Sequence, residues 1–73
     1  MKVLITGGAG NIGISLIENL ISSDIEVAIF DLKEQIEINK NRINSKVEIH
    51  AGSILEESDI SSAIKNCTHV VHL

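Results

Sequence analysis

Proline, tryptophan and tyrosine are absent from the 73 residues, and phenylalanine, cysteine and methionine occur once each. Each absence excludes something. Without proline, and with only five glycines, the chain is neither collagen-like nor low-complexity. Phe30 is the sole aromatic, so a core must be assembled from Ile, Val and Leu, and no chemistry needing a phenol can reside in these residues. A lone Cys67 cannot close an internal disulfide, which agrees with a reducing compartment. No segment approaches the ~18 apolar residues of a membrane span. The run Val3-Leu4-Ile5 is shorter than the ~7-residue minimum of a secretory core. The expected address is therefore cytoplasmic, with no membrane partner.

Basic residues are also scarce. Six Lys plus Arg stand against ten Asp plus Glu, for a net charge of −4, and the cations do not cluster. A polyanion wants the opposite balance, so nucleic acid is not an expected partner. What the chain does have is 44% hydrophobic and 22% charged residues, which excludes disorder and fits one small folded unit. A chain of this length buries about 60% of its unfolded surface, enough for one modest core.

The apolar pattern alternates between two periods. Val3-Leu4-Ile5 is a continuous run that stops at Gly7-Gly8, as expected of a strand buried on both faces. From Asn11 to about Ser22, Ile12, Leu16, Ile17, Leu20 and Ile21 form one helical stripe. Val27-Ala28-Ile29-Phe30 is a second strand ending at an acid, Asp31. Val47 and Ile49 mark a short third strand that ends near Gly52. Ile60, Ala63, Ile64 and Cys67 give a second helical stripe, with Ser58 as the expected N-cap. His69-Val70-Val71-His72-Leu73 is a fourth strand. Between Leu32 and Lys46 the pattern weakens, and a loop with room for one helical turn is expected. Strands and helices in this order predict an α/β parallel sheet with right-handed crossovers. A sheet that stops on an apolar edge strand is expected to be the front of a longer protein, or to pair with a second copy as a homodimer.

The residues Thr6-Gly7-Gly8-Ala9-Gly10-Asn11-Ile12-Gly13 place Gly7, Gly10 and Gly13 in a G-x-x-G-x-x-G spacing between a strand and a helix. Gly7 suits a sharp turn off the strand, Gly10 close approach of backbone to a pyrophosphate, and Gly13 tight packing of helix on sheet. N–H groups at the helix start, reinforced by the helix dipole, suit negative phosphates. Asp31 closes the second strand at close to the ~20-residue spacing expected of a carboxylate that bonds ribose hydroxyls. A carboxylate there repels a 2′-phosphate, so NAD is expected in preference to NADP, with Lys33 softening the contrast.

Thr-Gly-Gly-Ala-Gly-Asn-Ile-Gly, Ile-Phe-Asp, Ala-Gly-Ser-Ile and His-Val-Val-His-Leu, taken in register, resemble the opening of the extended short-chain dehydrogenase/reductases. Within these they resemble the NAD-dependent epimerase/dehydratase family that acts on nucleotide sugars. The resemblance covers essentially all 73 residues. It implies that residues 1–73 form the incomplete N-terminal part of a doubly wound Rossmann domain, with four strands ordered 3-2-1-4. It further implies that Gly7, Gly10, Asn11, Ile12 and Gly13 line the NAD pyrophosphate, and that Asp31, with Leu32 and Lys33, meets the adenosine ribose. Ser53 and Ile54 would flank the adenine, and Leu73 would begin the stretch passing the nicotinamide side.

Two departures stand out. The family usually has Gly-Asp-Ile/Leu after its third strand, the Asp bonding the adenine amino group, whereas this chain has Gly52-Ser53-Ile54. Ser can accept that hydrogen bond but carries no charge. The Tyr-x-x-x-Lys pair that such enzymes use, with Tyr as general base and Lys lowering its pKa, has no counterpart here, so no catalytic residue is assigned. The resemblance implies a nucleotide sugar as partner of the full-length parent. A non-catalytic NAD(P)-binding or sensing module stays open as the alternative, and a Tyr-x-x-x-Lys in a continuation would exclude it.

His50, His69 and His72 are not read as metal ligands: His69 and His72, three apart on a strand, face opposite ways, and no Cys or carboxylate pattern supports a site. Glu56, Glu57 and Asp59 are accounted for by the dipole at a helix start.

Overall fold

A computed structural model describes residues 1–73. β1 (Lys2–Thr6) is followed by α1 (Asn11–Ser22), β2 (Glu26–Asp31), α2 (Lys33–Asn39), β3 (Glu48–Ala51), α3 (Glu57–Ile64) and β4 (His69–His72). The strands form one sheet in the order β3-β2-β1-β4, and every neighbouring pair is parallel. This is the expected 3-2-1-4 order. Leu4 of β1 registers with Ala28 of β2 and Val70 of β4, and Ala28 registers in turn with Glu48 of β3.

Alternation along the strands splits the core into two layers. Val3, Ile5, Val27 and Ile29 share one face, where they pack with Ile17, Ile36, Val47 and Ala9. Leu4, Ala28 and Phe30 share the other, covered by Ala63 of α3 with Ile60 and Cys67 beside it. Both faces of the two central strands are thus occupied. That is why their runs are unbroken in Ile, Val, Leu, Ala and Phe rather than alternating with polar residues.

α1 spans the expected residues, but Ile12 is 73% exposed and lies off the packed stripe, which Ile17 anchors. The helix closes through a left-handed Asp24 (φ 59°). The Ile25 N–H donates to Leu20 O at 3.1 Å and the Asp24 N–H to Ile21 O at 3.0 Å, the paired bonds of a Schellman ending.

The Leu32–Lys46 segment departs from the loop expected of it. It holds a seven-residue helix, α2, followed by a 3-10 turn at Lys40–Arg42. Ile36 is the one residue of α2 that is buried, whereas Ile38 is exposed. The apparent period of two between them is therefore a helix with a single inward anchor. Ile43 packs against the core from the turn that follows.

α3 also differs at its start. Its N-cap is Glu56, with no side-chain capping bond, and Ser58 sits inside the first turn, where its carbonyl accepts from Ser62 Oγ at 3.1 Å. The helix ends at Ile64. Cys67 lies beyond it, past a left-handed Asn66 (φ 68°), with its thiol donating to Ala63 O. No helix is long and apolar enough to cross a membrane.

Candidate functional site

The C-terminal ends of the four strands open into one cleft of about 400 Å³. Thr6 and Gly7 from the end of β1 and Phe30, Asp31 and Leu32 from the end of β2 form its floor and one side. Gly52–Leu55 after β3 form a second wall, and His72 and Leu73 from β4 a third. In an open parallel sheet this is the switch point, where successive crossovers leave the first strand in opposite directions. Leu32, Ile54, Leu55 and Leu73 are exposed large apolar residues, and all four line the cleft. Apolar side chains left in solvent around one concavity mark a surface that takes a ligand.

The glycine loop forms the approach from β1 to α1. Gly7 has φ +73°, where a side chain is strained, and its N–H donates to Phe30 O at 2.8 Å. The tight packing of helix on loop runs through Gly8 and Gly13. A Cβ on Gly13 would come within 2.6 Å of the Gly8 Cα, and one on Gly8 within 2.6 Å of Ile29 Cγ2. Gly8 was not among the candidate residues, although the doubled Gly7-Gly8 was its visible signal. Gly10 is different. A Cβ there would meet only Gly7 O, 3.9 Å away, so nothing inside the protein requires glycine at that position.

α1 has no side-chain N-cap and no acid in its first turn. Its Ile14 N–H donates to Gly10 O, while the N–H groups of Asn11, Ile12 and Gly13 have no protein acceptor. Three free donors at the positive end of a twelve-residue helix can bind an anion, and open space at Gly10 lets that anion approach. These features fit a dinucleotide diphosphate.

Asp31 ends β2 on the rim of the cleft. Its Oδ2 accepts from the Ala9 N–H at 3.0 Å and its Oδ1 from the Leu32 N–H at 2.8 Å. Each oxygen retains a lone pair for a further donor such as a sugar hydroxyl.

Of the candidate residues, the fold brings Gly7, Asp31, Leu32, Ser53, Ile54 and Leu73 to the cleft. Gly10, Asn11, Ile12 and Gly13 stand beside it at the start of α1. Lys33 is the first residue of α2 and does not line the cleft. Five residues missed by sequence reasoning do line it: Thr6, Phe30, Gly52, Leu55 and His72. Thr6 is buried, and its Oγ1 lies 2.6 Å from His72 Nδ1, tying β1 to β4 at the cleft floor. The register of β4 on β1 brings them together, and a single sequence shows no register.

A second cluster joins β1 to β3 outside the lining of the cleft. Lys2 Nζ contacts both carboxylate oxygens of Glu48, at 3.1 and 3.0 Å, and His50 Nε2 contacts Glu48 Oε2 at 2.7 Å. The hydrogen bond from His50, then that from Lys2, holds the Glu48 carboxyl below the ordinary glutamate range. The hydrogen bond to Glu48 raises Lys2 in turn.

A parallel sheet ordered 3-2-1-4, with a glycine loop leading from its first strand into its first helix, defines the N-terminal portion of a Rossmann-type fold. The family model of the 3-beta hydroxysteroid dehydrogenase/isomerase family matches residues 4–73, and the chain belongs to that family. Among solved structures, the chain is similar to the UDP-glucose 4-epimerase of Thermus thermophilus in complex with NAD. The two share 31% identity and a TM-score of 0.84 over 99% of this chain and 23% of that one. A short-chain dehydrogenase/reductase superfamily protein from Agrobacterium tumefaciens with bound NAD gives 27% identity and a TM-score of 0.79, over 100% and 20% of the two chains. The Bordetella bronchiseptica enzyme WbmG in complex with NAD gives 29% and 0.75, over 100% and 24%. The chain thus spans less than a quarter of each of these structures. No curated protein matches it.

Proposed function

We propose that residues 1–73 are the cofactor-binding portion of an NAD-dependent nucleotide-sugar epimerase or dehydratase. The observation that carries this reading is the alignment of three unpaired N–H groups at the start of α1 with an open position at Gly10. The pyrophosphate of NAD lies against Gly7, Gly10, Asn11, Ile12 and Gly13. Asp31, with Leu32 and Lys33 beside it, receives the adenosine ribose. Ser53 and Ile54 flank the adenine, and Leu73 leads toward the nicotinamide. NAD supplies hydride-transfer chemistry when bound; the residues of this chain bind and orient it. The NAD-bound epimerase among the similar structures supports both cofactor and reaction class. The family description favours a second substrate for the parent, a hydroxysteroid, and the cofactor portion reads the same for both.

Titration of the chain with NAD and then NADP, followed by two-dimensional amide NMR, tests the reading. Peaks of Gly7 to Gly13 and Asp31 are expected to shift, at lower concentration with NAD. A dispersed spectrum that ignores both nucleotides would overturn it.

A further inference from the structure

We infer that Ser53 makes the base end of the cleft indifferent to whether a purine carries an amino or an oxo group at its six-position, so that a 6-oxo dinucleotide is accepted alongside NAD. This rests on the adenine placement proposed above. The wall formed by Gly52–Leu55 carries one polar side chain, that of Ser53. The turn around Ser53 is held by three bonds. The Ser53 N–H donates to Asp59 Oδ2 at 3.2 Å, its carbonyl accepts from the Glu56 N–H at 3.0 Å, and its Oγ accepts from the Leu55 N–H at 3.1 Å. The hydroxyl keeps its own proton and one lone pair free. By rotating about its C–O bond it can donate to an oxo group or accept from an amino group. A carboxylate at that position could only accept, and so would demand the amino group.

No neighbouring carboxylate takes over that demand. Asp59 commits Oδ2 to the Ser53 N–H, packs so closely on Gly52 that a Cβ there would lie 2.7 Å from it, and does not line the cleft. Asp31, which does, holds Ala9 and Leu32 at the end of β2 and turns its remaining lone pairs to the ribose in the placement proposed above.

The test compares NAD with nicotinamide hypoxanthine dinucleotide, its 6-oxo analogue, by amide shifts of the chain and of its Ser53→Asp and Asp59→Asn variants. The unsubstituted chain is expected to bind the two dinucleotides within about fivefold of each other, less than the discrimination of a site built around one hydrogen-bonding pattern. Ser53→Asp should prefer NAD by more than that, and Asp59→Asn should remain indifferent. A preference for NAD above about fivefold in the unsubstituted chain, with shifts at Gly10 to Gly13, overturns the inference and leaves the NAD reading standing. Absence of those shifts with either dinucleotide removes the NAD reading, and this inference with it. The unsubstituted chain decides the matter even where a variant fails to fold.

Discussion

The carboxylate of Asp31 and the backbone N–H of Ala9 meet at 3.0 Å, joining the end of β2 to the glycine loop. One side chain therefore shapes the loop and presents charge to the cleft. The two roles separate by substitution. Asp31→Asn keeps one oxygen for Ala9 but loses the charge and the acceptor for the Leu32 N–H, so its melting temperature should fall less than that of Asp31→Ala. It should also narrow the gap between NAD and NADP affinities. Asp31→Ala loses the loop bond as well and should cost about 1.5–3 kcal/mol of stability, the range for hydrogen bonds to charged groups. Thermal melts followed by circular dichroism, beside the two nucleotide titrations, check both.

Gly10 and Gly13 should part company in the same way. Gly10→Ala meets open space and should leave stability within about 0.5 kcal/mol of the parent while weakening NAD about tenfold or more. Gly13→Ala drives a Cβ into Gly8 backbone and should cost at least about 2 kcal/mol. Equal loss of stability in the two variants would show that Gly10 serves the fold rather than the ligand.

Asp24 is strained in the left-handed region at the end of α1. Asp24→Gly relieves about 1–2 kcal/mol of strain, partly offset by the greater freedom of glycine in the unfolded chain. A net gain of about 0.5 kcal/mol in a denaturant titration is expected.

The Lys2–Glu48–His50 cluster sets a pH response. Glu48 is held below the ordinary glutamate value of 4.5 in the folded chain. Its contribution is therefore complete above that value and is lost as pH falls through the lower, folded one. Lys2 is held above 10.5, so its contribution is complete below that value and is lost as pH rises through the higher, folded one. Glu48→Gln should flatten the acid limb of the stability profile below pH 4.5, measured as melting temperature against pH. Exposure of the carboxylate keeps the effect small.

How much of this could be read from the residues depends on how many of them report the same thing. β1, α1 and β2 were legible because unbroken apolar runs, a helical stripe and a glycine loop agree on where each element starts and stops. α2 was not, because one buried residue, Ile36, leaves no period to detect, and Ile38 beside it imitates a strand. At α3, Ser58 is the better capping residue by type. The turn held by Ser53 and Asp59 nevertheless starts the helix earlier, at Glu57. The site residues near the glycine loop are close in sequence and could be grouped beforehand. The Thr6–His72 contact and the role of Gly8 against Ile29 depend on strand register and helix approach, which are properties of the assembled sheet.

At three strand ends the hydrogen-bond ladder runs one rung past the strands: Gly7 N–H to Phe30 O, Gly52 N–H to Asp31 O, and Leu73 N–H to Thr6 O. The roots of the cleft walls are consequently rungs of the sheet itself. Amide protons there exchange with solvent only when neighbouring strands part, whereas those at the free start of α1 exchange with no opening at all. The cleft thus combines slowly breathing margins with donors that are permanently available, a division of labour that lets an anion dock without waiting for the protein to open.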